Sequence, residues 1–392
     1  MEASLYIHIP FCSGKKCDYC DFYSIAAGKD DPMLDRYVTC LLLEAQQLFK
    51  KTGFPIDIPT VYIGGGTPSV LGNERIQKLL DGLSGLIKDY SPVFPQEITI
   101  EANPETIDRA FLEALSRGGV TRLSVGVQTF YAPSRRAVSR NGDEMQLPGQ
   151  LALASEYFPG ALSVDLITGL PHQNEKILLD DIAGVIDFKP AHVSLYALTM
   201  ASKKSFTAPS TEEADNLWLC GRDALEKSGY CQYEVSNFCL PEKESLHNIR
   251  YWRMNNWLAL GPSASGTIID DEKGCGTRYT IPPDTETWLA SKGCDFDKKG
   301  GFPPLVENLD KLTLLKESLL MGFRCVQGPD KDLFLRRFHV SIDEIIKKTI
   351  KKWRGSLNIQ HGKIALTKDG LLFLNRFLID AFEELDADFS PC

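Results

Sequence analysis

Between Leu5 and Lys227 the chain switches repeatedly from short β-branched runs to amphipathic segments of helical period. Strand-like runs are read at Ser4–Ile9, Thr60–Ile63, Glu97–Glu101, Thr121–Val127, Ala161–Ile167 and His192–Leu198. Helical spacing fills the gaps, as in Leu34, Val38, Leu41 and Ala45, or Ile76, Leu79, Leu83 and Leu86. Strands that alternate with helices in this way need crossover connections, so they build a parallel sheet covered by helices. About six strand–helix pairs fall short of the eight that close a full barrel. The pattern therefore predicts an α/β fold with an open sheet or a partial barrel, with its chemistry at the C-terminal ends of the strands.

After Gly229 the pattern stops. Residues 231–303 form a connecting region rich in aromatics and amides, with a small-residue turn at Gly261–Gly266 and a loop-like stretch from about Asp270 to Gly301. From Pro304 helices are expected at Leu312–Phe323, Leu333–Phe338, Ile342–Lys352 and Gly370–Leu378, with a strand at Lys363–Leu366. The expected organisation is a barrel over 1–230, the connecting region over 231–303 and a mostly helical, winged-helix-like module over 304–392. A net charge of −9 argues against a general nucleic-acid binder. No apolar run reaches the roughly 18 residues of a membrane span, and the opening residues MEASLYIHIP lack the basic and long apolar regions of a signal peptide. Eight of the 11 cysteines are scattered singly, which indicates free thiols in a reducing compartment, here taken as the cytoplasm.

The other three need a chemical explanation. Cys12, Cys17 and Cys20 fall within nine residues, directly after the first strand. Three thiolates on one loop suit an iron–sulfur cluster with one open iron, or a zinc ion completed by a fourth ligand such as His8. Gly64–Gly66, Thr67, Pro68 and Ser69 follow the second strand in a turn that lets a ligand approach the backbone, and the absence of a P-loop lysine disfavours nucleoside triphosphates. Glu101, Gln128 and Asp165 stand at or near strand ends, and Arg140 can bring a positive charge to the same rim. His247 and Asn248, followed by Tyr251 and Trp252, offer an imidazole among stacking surfaces, or else a core histidine.

Taken in order, several stretches resemble the radical S-adenosylmethionine (SAM) superfamily. They are YIHIPFC at 6–12, YCDF at 19–22, GGGTPS at 64–69, EANP at 101–104, SVGVQTF at 124–130, DLITGLP at 165–171, YEVSNF at 233–238 and HNIRYW at 247–252. Within that superfamily the resemblance is to the oxygen-independent coproporphyrinogen III oxidase family, and to its HemW-type branch of haem chaperones. It implies a partial (β/α)6 barrel in which Cys12, Cys17 and Cys20 ligate a [4Fe–4S] cluster and SAM chelates the fourth iron. It further implies a SAM pocket lined by Tyr6, Tyr19, Gly65, Gly66, Thr67, Glu101, Gln128, Arg140, Asp165 and Ala197, and haem binding at His247 in the HNxxYW stretch.

Phe22 occupies the position where true oxidases carry a fourth cysteine, and the first strand begins at about Ser4 without the oxidases' N-terminal extension. Both features point towards haem handling, as a monomer or homodimer that passes haem to an acceptor protein, and away from decarboxylation of coproporphyrinogen. The alternative implied by the resemblance is an enzyme that generates a 5′-deoxyadenosyl radical in porphyrin metabolism. Three departures stand out. Four residues, Ser13–Lys16, separate the first two cysteines where the family has three; His172 replaces a glycine; and the turn at 261–265 does not end in histidine.

Overall fold

A computed structural model describes residues 1–53, 55–140, 142–199, 209–297, 302–360 and 362–389. The six alternating strands are β1 (Ser4–Ile9), β2 (Thr60–Gly65), β3 (Glu97–Ala102), β4 (Arg122–Gln128), β5 (Leu162–Thr168) and β6 (His192–Ala197). They lie side by side in that order, all parallel. Their outward residues, among them Leu5, Ile7, Ile63, Ile100, Leu123, Val125, Val164 and Val193, pack with the crossover helices into one large apolar cluster. Because side chains alternate along a strand, the intervening positions face inwards, and here they are polar: Ser4, Tyr6 and His8, then Thr60 and Tyr62, then Thr99 and Glu101, then Ser124, Asp165 and Ser194. The α/β class and the partial barrel expected from the sequence are present.

The sheet continues beyond the barrel on both sides. Trp257–Leu260 pairs in parallel with β1, in the register Leu5 to Leu258, as a seventh parallel strand. Ser265–Asp270, Cys275–Thr280 and Leu305–Leu309 extend that edge in antiparallel fashion, while Asn237–Cys239 and Cys231–Gln232 extend the β6 edge. The stretch from Asp270 is therefore not loop-like as expected: its charged turn joins two paired strands, and helix Thr285–Ala290 follows. Trp257–Leu260 escapes sequence reading because four consecutive apolar residues carry no period that separates strand from helix. Leu305–Leu309 is likewise a strand where helix was expected to begin.

A second apolar cluster gathers Phe323, Phe334, Phe338 and Phe377 with the hairpin Leu357–Gln360/Lys363–Leu366 and the helices Lys311–Gly322, Lys331–Phe338 and Leu374–Phe389. Among the described residues, no helix is long and apolar enough to cross a membrane.

One buried carboxylate joins the extension to the barrel. Glu44, on helix Met33–Thr52, accepts from Trp288 Nε1 (2.8 Å), Cys294 N (2.7 Å) and Gly261 N (2.7 Å). Burial pushes its pKa up to about 7 despite these donors. Replacing it by alanine would strand three buried donors, so Glu44→Ala is expected to lower unfolding free energy by about 3 kcal/mol or more in denaturant titrations. A raised folded pKa contributes stability that is complete below the ordinary value and is lost as pH rises through about 7. The advantage of wild type over Glu44→Gln should therefore shrink between about pH 5 and about pH 8; a constant gap would show that the carboxyl is not shifted.

Candidate functional site

At the C-terminal ends of the parallel strands a cavity of ≈ 570 Å³ opens beneath the loop that leaves β1. Two glycines bring that loop down onto β2. A Cβ on Gly65, whose φ is +116°, would lie 2.8 Å from the His8 ring, and one on Gly66 would lie 2.6 Å from the Phe11 carbonyl oxygen. Gly66 N donates to Ile9 O at 2.9 Å. The glycine run thus serves the close approach of two backbones, while Gly65, Gly66 and Thr67 still form part of the cavity wall.

All three loop cysteines line this cavity. Gly14 takes φ +107° and its N–H donates to Cys12 O at 2.9 Å, so the four-residue spacer turns back on itself and the thiols stay on one wall. Cys20 N donates to Cys17 O at 3.1 Å, which closes the second turn. Thr67 Oγ1 donates to Cys12 Sγ and Arg140 Nη1 to Cys17 Sγ, each at 3.8 Å. Among the described residues no three histidine, cysteine or acidic side chains converge around a single ion point. A cubane binds each thiolate through a different iron, so its ligands are spread more widely than those of one ion. His8 does not join the cysteines: its ring nitrogens are 2.9 Å from Tyr6 Oη and 3.0 Å from Tyr23 O, which leaves no lone pair for a zinc ion.

The strand ends supply the opposite wall. Glu101 accepts from Tyr62 Oη (2.7 Å) and Gly65 N (3.2 Å), yet burial, with Asp165 adding to it, lifts its pKa to about 7. Burial also raises Asp165, against hydrogen bonds from Ser194 and Ser124. Gln128 sits on a register shift between β4 and β5 with φ +70°, and its buried Oε1 has no hydrogen-bond partner. Gln128 thus combines a left-handed backbone with an unpaired acceptor on the cavity wall. Arg140 donates to Asn103 Oδ1 (2.8 Å) and to Gly126 O. Tyr19 and Ala197 close the sides.

Two expected residues lie elsewhere. Tyr6 does not line the cavity; it packs beneath it, 6.3 Å from the Tyr62 ring. His247 is 1% exposed on helix Leu246–Trp252, at the opposite end of the strands. Its Nδ1 is 2.8 Å from Thr60 Oγ1, its Nε2 has no partner, and burial lowers its pKa to about 3, so the ring is neutral. Glu97 holds the start of that helix by accepting from Leu246 N and His247 N, both at 3.0 Å. Sequence reasoning missed Asn103 and Tyr62. Asn103 bridges Arg140 to Thr67 Oγ1 (3.1 Å); it stands in the EANP stretch at 101–104, which carried the resemblance without giving Asn103 a role. Tyr62 was legible as an inward position of β2.

Comparison with known proteins bears on this arrangement. Residues 6–183 match the Radical SAM superfamily and residues 309–373 the HemN C-terminal domain. The haem chaperone HemW of Haemophilus influenzae is 34% identical over 96% of both chains. HemW of Bacillus subtilis is 30% identical over 95% of this chain and 97% of its own. The bovine protein named radical S-adenosyl methionine domain-containing protein 1, mitochondrial, is 34% identical over 83% of this chain and 74% of its own. Among solved structures, Escherichia coli coproporphyrinogen III oxidase HemN, described as a radical SAM enzyme, shares the fold with a TM-score of 0.80, covering 97% of this chain and 90% of that one at 21% identity. With relatives at this identity aligned along nearly its whole length, the chain belongs to the HemN/HemW family of the radical SAM superfamily.

Proposed function

We propose that this protein is a HemW-like haem chaperone that carries a [4Fe–4S] cluster and SAM and delivers haem to an acceptor protein in the cytoplasm. The observation that carries the reading is the convergence of Cys12, Cys17 and Cys20 with Glu101, Asp165, Gln128 and Arg140 on one cavity. The donor set fits both groups. Three thiols without a fourth leave an iron for a second ligand. SAM is an amino acid with a sulfonium: its cationic groups suit the two buried carboxylates, its carboxylate suits Arg140, and a polar hydrogen suits Gln128 Oε1. When bound, cluster and SAM together supply one-electron chemistry. The chain's own part is to hold three thiols in place, neutralise the ligand's charges and keep Arg140 beside Cys17. Phe22, exposed at the cavity mouth where oxidases carry a cysteine, favours the chaperone over the decarboxylating enzyme.

Haem remains assigned to His247 in this reading, with one structural consequence. The unpartnered Nε2 is the available ligand atom, but the ring is buried. Haem therefore reaches it only when helix Leu246–Trp252 leaves the barrel floor and Glu97 releases its cap.

Three outcomes are expected. Anaerobic reconstitution should give a chain with equal iron and sulfide and an electron paramagnetic resonance signal on reduction, lost in Cys17→Ser; a preparation that holds only zinc, or no metal, would refute the cluster. SAM binding by equilibrium dialysis should weaken as pH falls through about 7, because Glu101 loses the charge that the ligand pairs with. In Glu101→Gln, binding at about pH 8 should fall tenfold or more, for the loss of a charged hydrogen bond of about 1.5–3 kcal/mol, and its pH dependence should flatten. Haem titration should show weakened binding in His247→Ala and faster uptake in Glu97→Gln; unchanged affinity in folded His247→Ala would remove His247 from the haem site. Formation of decarboxylated porphyrin or of 5′-deoxyadenosine would favour the enzyme instead.

A further inference from the structure

Cys231 and Cys239 stand directly opposite each other at the β6 end of the large sheet. The outermost strand, Cys231–Gln232, pairs antiparallel with Asn237–Cys239 in the register Cys231 to Cys239. The surrounding hydrogen bonds determine what kind of pair this is. Tyr233 N donates to Asn237 O (3.1 Å), while on the other side Leu195 N donates to Ser236 O (2.8 Å) and Leu240 N to Ala191 O (2.9 Å). Hydrogen-bonded and non-bonded pairs alternate along an antiparallel ladder, so the N–H of Cys239 points away from β6 and towards Cys231. The two cysteines form a hydrogen-bonded pair, with Cα atoms about 5.5 Å apart and side chains on the same face. A disulfide spans Cα separations of about 4.4–6.8 Å. Both thiols are free; Cys231 is exposed and Cys239 is 2% exposed.

We propose that Cys231 and Cys239 are a redox modification site that closes into a reversible disulfide. Cβ atoms of directly opposed residues stand about 4.5–5.5 Å apart, and a disulfide draws them to about 3.5–4.5 Å. The two-residue edge strand, paired on one side only, must twist to allow this. A bond strained in that way is easily reduced, the property of a regulatory rather than a structural disulfide. The exposed Cys231 thiolate attacks a low-molecular-weight disulfide such as glutathione disulfide. That S–S bond breaks, one glutathione thiolate leaves, and a mixed disulfide remains on Cys231. Cys239 then loses its proton and displaces the second glutathione, so that two protein thiols are oxidised while one disulfide is reduced to two thiols. Burial pushes the Cys239 thiol up to about 12, in keeping with its role as the resolving rather than the attacking group.

The hairpin so fastened is a junction. Val326 N donates to Tyr233 O (3.0 Å), and Glu234 bridges to Cys325, so the hairpin turn carries the contact with the C-terminal helices. Tyr233 Oη lies 2.9 Å from His192 Nε2 and accepts from Ser245 N at 3.4 Å; Ser245 caps the helix of His247. Closing the disulfide stiffens this junction.

The test uses the full chain, held anaerobically in glutathione buffers of increasing oxidised fraction, then alkylated and mapped by mass spectrometry under non-reducing conditions. A Cys231–Cys239 linked peptide should rise with the oxidised fraction and disappear on adding reduced glutathione. Cys239→Ser should instead retain a glutathione adduct on Cys231, and the exposed-site variant Cys231→Ser should show neither product. Hydrogen exchange of the amides from 232 to 238 should slow in the oxidised form. The proposal is overturned if wild type yields Cys231 only as a free thiol or a stable glutathione adduct, or joined to a different cysteine.

Discussion

The rest of the site depends on the contact between two glycines and the chain leaving β1. Gly65 and Gly66 have no room for a Cβ, because His8 and the Phe11 carbonyl fill that space. The contact holds the start of the cysteine loop against the end of β2, and every later element of the site is measured from there. β1 is itself a central strand, paired with β2 on one side and Trp257–Leu260 on the other. The loop it delivers is therefore anchored to the most enclosed part of the sheet. A side chain at either glycine would have to displace the His8 ring or the Phe11 carbonyl, at the start of the cysteine loop.

The barrel interior follows a different rule from the layer that surrounds it. The outer faces of the strands bury aliphatic residues against helices, and that burial stabilises the fold. The inner faces bury hydroxyls, carboxylates and imidazoles, which pair with one another: Ser163 with His192 (2.8 Å), Thr60 with Ser4 (2.9 Å), Ser124 with Asp165 (3.4 Å). Removing such groups from water costs free energy unless partners are present, and at the cavity the partners do not suffice. Glu101 and Asp165 are both raised by burial, Arg122 only partly offsets this, and Gln128 Oε1 is unpaired. The cavity wall therefore presents two buried carboxyl groups and an unpaired acceptor.

Much of this was legible in the sequence, for reasons that particular residues make clear. Six strands were readable because each combines β-branched residues with a sharp change of period at its end. That Glu101, Gln128 and Asp165 share one cavity wall was readable because three polar residues at or near strand ends fall on one rim, although each alone could be a cap or a solvated end. Trp257–Leu260 was not readable, since its place beside β1 is a non-local pairing across more than half the chain. The burial of His247 was hidden for a related reason: its neighbours Thr60, Tyr62 and Glu97 come from two strands far earlier in the sequence. A local motif rich in aromatics looks the same whether it faces solvent or plugs a barrel floor.

Tyr62 connects the two ends of the barrel. Its hydroxyl donates to Glu101 at the cavity, and its ring packs 5.1 Å from the His247 ring at the floor. The His247 ring meets Tyr251 at 4.8 Å, and Tyr251 meets Trp257 at 5.0 Å, so a row of aromatics leads from the cavity wall to the added parallel strand. Spatial continuity alone does not transmit a signal; coupling needs an element with two arrangements that both sites bias. Helix Leu246–Trp252 is short and is held at its start by two groups: Ser245, which accepts from Asn248 N, and Glu97, from the strand that also carries Glu101, which accepts from Leu246 N and His247 N. Glu97 and Glu101 face the same interior from two levels of β3. Glu101 accepts the hydrogen bond that orients Tyr62, so its charge state bears on the ring that packs against His247. Glu101, Tyr62 and His247 thus form one continuous set of contacts from the cavity wall to the barrel floor.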